Sequence, residues 1–140
     1  MNAPRSIALL STIAALAFGA LPAHAAVLRS GTFTVKSTVV LSANAPVSAP
    51  LSATASAYFY DPVGGGHSAS ITAVVKRSGN AANVTLVLPY RWAVGRTTGT
   101  VTVTFSIGAS TLGSPRTQVS ATIPLPADGA ATQVVLPAAL

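Results

Sequence analysis

The sequence predicts an all-β protein, an antiparallel sandwich of about seven strands preceded by a cleavable helical leader. Three observations lead there. From Gly31 onward, apolar and hydroxylated residues alternate with period two in one segment after another, as in strands that turn one face to a core. Polar stretches containing Gly or Pro separate these segments at short intervals. No helical period appears after the first 25 residues.

The chain opens "MNAPRSIALLSTIAALAFGALPAHAA". Arg5 gives a short positive start, Ile7 to Leu21 form an apolar run, and Ala23-His24-Ala25 supplies the small-x-small pattern that signal peptidases accept. The run is shorter than the roughly 20 residues of a membrane-spanning helix. Residues 1–25 are therefore expected to be a signal peptide and 26–140 a single exported domain, not integral to a membrane once the leader is removed.

The strands follow in order. "GTFTVKSTVVL" turns Phe33, Val35, Val39 and Leu41 to one face and Thr32, Thr34, Lys36 and Thr38 to the other. "NAPVSAP" breaks the pattern. "LSATASAYFYD" resumes it, with Leu51, Ala53, Ala55, Ala57 and Phe59 opposed to Ser52, Thr54, Ser56, Tyr58 and Tyr60. "PVGGGH" reads as a loop, since consecutive glycines have no side chains to pack and no preferred sign of φ.

"SASITAVVK" is the third strand, with Ala69, Ile71, Ala73 and Val75 inward, and "RSGN" after it carries a hairpin signal. A long fourth strand starts at Asn83. "TVTVTFSIG" is the cleanest alternation, "TQVSATI" turns Val119, Ala121 and Ile123 inward, and "TQVVLP" is a short last strand. Seven short strands without helices fit an immunoglobulin-like sandwich. A bacterial transmembrane barrel would need an even number of strands, about eight or more, with aromatic girdles at both interfaces.

Composition narrows the functions. The whole chain holds eight Lys and Arg against Asp61 and Asp128 as its only acids, and it has no Cys. Arg5 leaves with the leader and the other cations are scattered, so a nucleic-acid partner is not expected. Paired-carboxylate catalysis needs two acids brought together. Asp61, His67 and Ser68 in "DPVGGGHS" are the residue types of a nucleophilic triad, but adjacency in sequence does not supply its geometry, and Asp61 before Pro62 reads as a turn initiator. His67 with Asp61 falls short of the three or four ligands of a zinc site. No enzyme activity, cofactor or metal is expected.

Three features remain. Asn83-Val84-Thr85 fits a glycosylation sequon but reads as ordinary strand alternation. Tyr58 and Tyr60 share the face opposite Phe59, where two neighbouring rings could stack on sugars or cover a partner. "PYRWAVGR" gathers the only Trp of the chain with Arg91 and Arg96. The register of the fourth strand turns Val84, Leu86, Leu88, Tyr90, Trp92 and Val94 inward, leaving Arg91 on the outer face and Arg96 in the following turn. Pro89 on that outer face cannot donate a ladder hydrogen bond and implies an edge strand or a bulge.

The expected function is a non-enzymatic structural or assembly role in the periplasm, at the cell surface or outside the cell, through self-association or an envelope partner. The scarcity of titratable groups and a mean hydropathy of +0.59 motivate it. Size, export and strand pattern resemble the chaperone-assisted pilus subunits of bacteria, many of which carry a disulfide that this chain lacks. The alternative is a secreted module that binds polysaccharide or another ligand, with Tyr58, Tyr60, Arg91 and Arg96 as contact residues.

Overall fold

The structure is a computed structural model that describes residues 25–43, 50–109 and 114–140. The predicted signal peptide lies almost wholly outside these residues, as do most of the "NAPVSAP" and "ASTLGS" connections. Among the described residues there are eight strands and no helix: β1 (Val27–Val40), β2 (Leu51–Asp61), β3 (Gly65–Val75), β4 (Ala81–Val94), β5 (Thr100–Ala109), β6 (Arg116–Pro124), β7 (Ala130–Val135) and the two-residue β8 (Ala138–Ala139).

They form two sheets. The first runs β4-β1-β7, with β8 also on β1, and the second runs β3-β2-β5-β6. Alternation decides which residues face inward. On β2, Ala53, Ala55 and Ala57 are buried and alternate with half-buried Ser52, Thr54 and Ser56, and on β5 Val101, Val103, Phe105 and Ile107 are buried. The small and large residues are neighbours across the ladder, Ala55 beside Phe105 and Ala53 beside Ile107. Alanine on one strand thus leaves room for the bulk of the next, and both enter a single core with Phe33, Val35, Leu86 and Leu88 of the other sheet.

The "PYRW" segment anchors one end of that core. Trp92 is 4% exposed and Tyr90 5%. Their rings lie 4.6 Å apart, Tyr90 stacks on Phe33 at 4.7 Å, and Trp92 stacks on Phe59 of the second sheet at 6.2 Å. Such spacings suit offset aromatic packing. Pro89 pairs with Thr32 in an unbroken register, and β4 is an edge strand of its sheet. The edge position, with no bulge, accommodates the missing N–H.

Three features depart from the sequence reading. The sheets are not wholly antiparallel, because β7 and β8 pair with β1 in parallel. The chain reaches β7 by crossing from the second sheet, so no tight turn dictates antiparallel pairing. Its arrival is fixed by hydrogen bonds of 2.7 Å from Gly129 N to Ser30 O and from Ser30 N to Asp128 Oδ1. "RSGN" does close a tight turn, with Ser78 and Ala81 exchanging hydrogen bonds of 2.9 and 3.2 Å across Gly79-Asn80, but β3 and β4 belong to different sheets and do not pair beyond it. Gly79, at φ 62°, instead turns the chain from one layer to the other. The glycine run is only partly a loop: Gly65, Gly66 and His67 pair with Asp61, Tyr60 and Phe59 and begin β3.

Trp92→Ala is expected to lower the unfolding free energy by about 3 to 5 kcal/mol in urea titrations, the range for truncating a buried aromatic. Arg91→Ala, on an exposed outer position, is expected to stay within about 0.5 kcal/mol of the parent.

Candidate functional site

The most built region of the surface lies where β2 ends and β5 begins. Tyr58 and Tyr60 point away from the core and remain 49% and 63% exposed. Each large ring thus leaves much of its area in water. With Pro62, Arg96, Thr98, Gly99, Thr100 and Thr102 they line a shallow open groove of about 320 Å³. Ring planes, hydroxyls and one guanidinium converge there. Thr102 belongs because it sits directly across the ladder from Tyr58.

The rings are placed by what lies beside them. A Cβ on Gly66 would come within 2.9 Å of the Tyr58 hydroxyl and 3.2 Å of Cε2, so glycine there leaves the Tyr58 ring room to lean over β3. Arg96 is placed by Asp61. Asp61 ends β2 in the inward register and is fully buried. Its Oδ1 accepts a 2.9 Å hydrogen bond from Val63 N, and its Oδ2 accepts a short one from Gly95 N.

A Cβ on Gly95 would lie 2.7 Å from Val63 Cβ and 3.2 Å from Asp61 Oδ2. Glycine is therefore what allows this approach. The carboxylate clasps the turn after β2 to the loop after β4, and so holds together the segments that bring Pro62 and Arg96 to the groove. Burial pushes its pKa up, but backbone N–H groups of Val63, Gly95, Gly64 and Arg96 favour the charged form more strongly and hold it below the ordinary value of 3.8. At neutral pH Asp61 is an anion committed to four amides.

Ser68 is separated from the other two residues of the triad pattern, while Asp61 and His67 both flank Gly64. His67 and Ser68 are consecutive on β3 and therefore point to opposite faces. The His67 ring lies on the core side, 6.1 Å from Phe59 and 6.3 Å from Trp92, while Ser68 is exposed on the outer face. Asp128, the second acid, accepts hydrogen bonds from Ser30 N and Ser30 Oγ; these, above all, lower its pKa. No group of three or more His, Cys, Asp or Glu that could hold a metal occurs among the described residues, and no helix among them is long and apolar enough to cross a membrane.

Of the four contact residues expected from sequence, three meet in the groove: Tyr58, Tyr60 and Arg96. Arg91 stands apart on the outer face of the first sheet, across from Ser30. Asn83 is on that sheet too, its Oδ1 accepting from Thr38 Oγ1 at 3.2 Å. Thr98, Thr100 and Thr102 were not legible as site residues, because alternation tells which face a residue takes and not which strand lies alongside. No family model matches the sequence, and no curated protein or solved structure matches it either.

Both acids carry pKa values below the ordinary carboxylate range. The stability they contribute is present above the unfolded-state value near 3.9 and is lost as pH falls through the lower folded-state values. The melting temperature should therefore drop as pH is lowered below about 4. Asp61→Asn is expected to be less stable than the parent at neutral pH and to show a flatter decline into acid, as measured by calorimetry across a pH series.

Proposed function

We propose that this chain is an exported, non-enzymatic module that holds polysaccharide at the cell envelope, on the cell surface or outside the cell, through the groove of Tyr58, Tyr60 and Arg96. The observation that carries the reading is the convergence of two exposed rings, a guanidinium and several hydroxyls in one open groove. Sugar rings offer C–H faces that stack on aromatics and hydroxyls that pair with Arg and Thr. A shallow cleft suits a chain passing through it. The lack of a carboxylate in the groove lining supports binding over hydrolysis, since glycoside cleavage uses a pair of acids.

The scaffold we infer is an immunoglobulin-like sandwich. In such folds a C′CFG sheet faces a sheet containing strands B and E. The order β3-β2-β5-β6 fits the first and the β1–β4 pair the second, with β7 in the place of an outer strand beside β1.

A second reading, assembly into a larger structure, is favoured by one observation. β4 runs 14 residues and, among the described residues, is bonded to β1 alone, leaving a long edge that could pair with another strand. Concentration-dependent association in analytical ultracentrifugation would support that role, and a strict monomer at all concentrations would remove it.

Glycan binding is tested by the double variant Tyr58→Ala, Tyr60→Ala on a glycan array. The wild type should be retained on at least one polysaccharide, and each lost ring should weaken retention by about tenfold, equivalent to about 1.4 kcal/mol. The melting temperature should not change, because both rings lie outside the core. If the wild type and double variant behave alike, the groove is not the binding site.

A further inference from the structure

Beyond the groove, the middle of the second sheet's outer face is a field of hydroxyls, bounded by a row that holds the exposed Val74 and Arg116. The outward positions of β2, β3, β5 and β6 are aligned by register into rows across the sheet: Ser70, Ser56, Thr104 and Ser120 make one row, and Thr72, Thr54, Ser106 and Gln118 the next. Thr54 and Thr72 share a hydrogen bond of 2.7 Å, and Thr104 and Ser120 one of 3.0 Å. Neighbours in a row are about 4.8 Å apart, and successive rows about 6.7 Å apart along the strands. The bonded pairs hold their oxygens in place while leaving lone pairs free to accept.

No carboxylate or Lys occupies these rows, and Arg116 stands at the far end of β6. Soluble surfaces are usually about a quarter to a third charged, so an uncharged face this broad is unusual. The row of Tyr58, Thr102 and Thr122 joins the field to the groove without a break.

We infer that this field is the extension of the groove, and that together they bind a neutral, linear polysaccharide whose successive sugars leave the tyrosines and run over the Ser/Thr rows. The inference rests on the glycan-binding reading of the groove and names its ligand class. A protein partner fits less well, because protein interfaces have apolar centres and are depleted in Ser. A nucleic acid would need cations along its phosphates, and the rows have none. Neutral sugar hydroxyls are donors and acceptors at close intervals, as the rows are, and they impose no charge to desolvate.

The test is a printed series of neutral glucans, mannans, xylans and galactans, each from disaccharide to octasaccharide, beside polyuronates. For at least one neutral series, affinity should rise by about tenfold from trisaccharide to octasaccharide, the scale of one or two net hydrogen bonds. The variant Thr54→Val, Thr72→Val, Thr104→Val, Ser120→Ala should lose that rise and keep the trisaccharide affinity. Valine favours strands, and replacing both partners of a hydrogen bond by apolar groups is close to neutral. Ser70→Glu, on the exposed edge strand, should lose the same rise if the multiple variant fails to fold.

An affinity that is flat with length, with the tyrosines still required, would overturn the field and spare the groove. Absence of retention on every glycan would overturn both. Retention limited to polyuronates and abolished by salt would overturn the neutral ligand.

Discussion

One buried charge organises the end of the molecule that carries the groove. Asp61 sits in the inward register of β2, where every other residue of that face is apolar, and an isolated ion there would be strongly disfavoured. It is tolerated because backbone N–H groups of two separate loops converge on it. The consequence runs outward. The turn after β2 and the loop after β4 cannot move apart without stranding the carboxylate, so Arg96 is held beside the tyrosines of the neighbouring face. Gly95 completes the arrangement by leaving no side chain between Asp61 and Val63.

The same end is stiffened from within. Trp92 of the first sheet, backed by Tyr90, stacks on Phe59 of the second, and Phe59 lies between Tyr58 and Tyr60 on a single strand. One short segment therefore faces both ways: its odd positions lock the sheets together and its even positions form the groove. A rigid strand loses little freedom on binding, and preplaced rings strengthen binding mainly by avoiding that loss. The "PYRWAVGR" segment divides in the same manner. Its aromatics belong to the core, Arg91 to the outer face of the first sheet, and Arg96 to the groove.

Much of this was legible in the sequence, for a physical reason. Period-two alternation is set by the pleat, so it revealed the inward sets of β2, β4 and β5, the outward tyrosines and the edge position implied by Pro89. What alternation does not carry is partnership. The parallel docking of β7, the crossing of layers at Gly79 and the alignment of Thr102 with Tyr58 depend on residues distant in sequence. Asp61 before Pro62 initiates the turn that the sequence implies, accepting from Val63 N; its burial is not legible there, because an acid is ordinarily exposed and the amide of Gly95 that helps make burial tolerable is distant in sequence. His67 and Ser68, adjacent in sequence, were separated by the pleat once β3 began earlier than the glycines implied.

Glycan binding through the groove requires occupation of the outer face of the second sheet at the end of β2. It is tested most directly by nuclear magnetic resonance of the isotopically labelled protein titrated with the neutral oligosaccharide that it retains best. Shifts should concentrate at Tyr58, Tyr60, Arg96 and Thr98 to Thr102 and continue along Thr104 and Ser120, with β1, β4 and β7 unmoved. Shifts centred on Arg91 and the outer face of the first sheet, or along the free edge of β4, would contradict it.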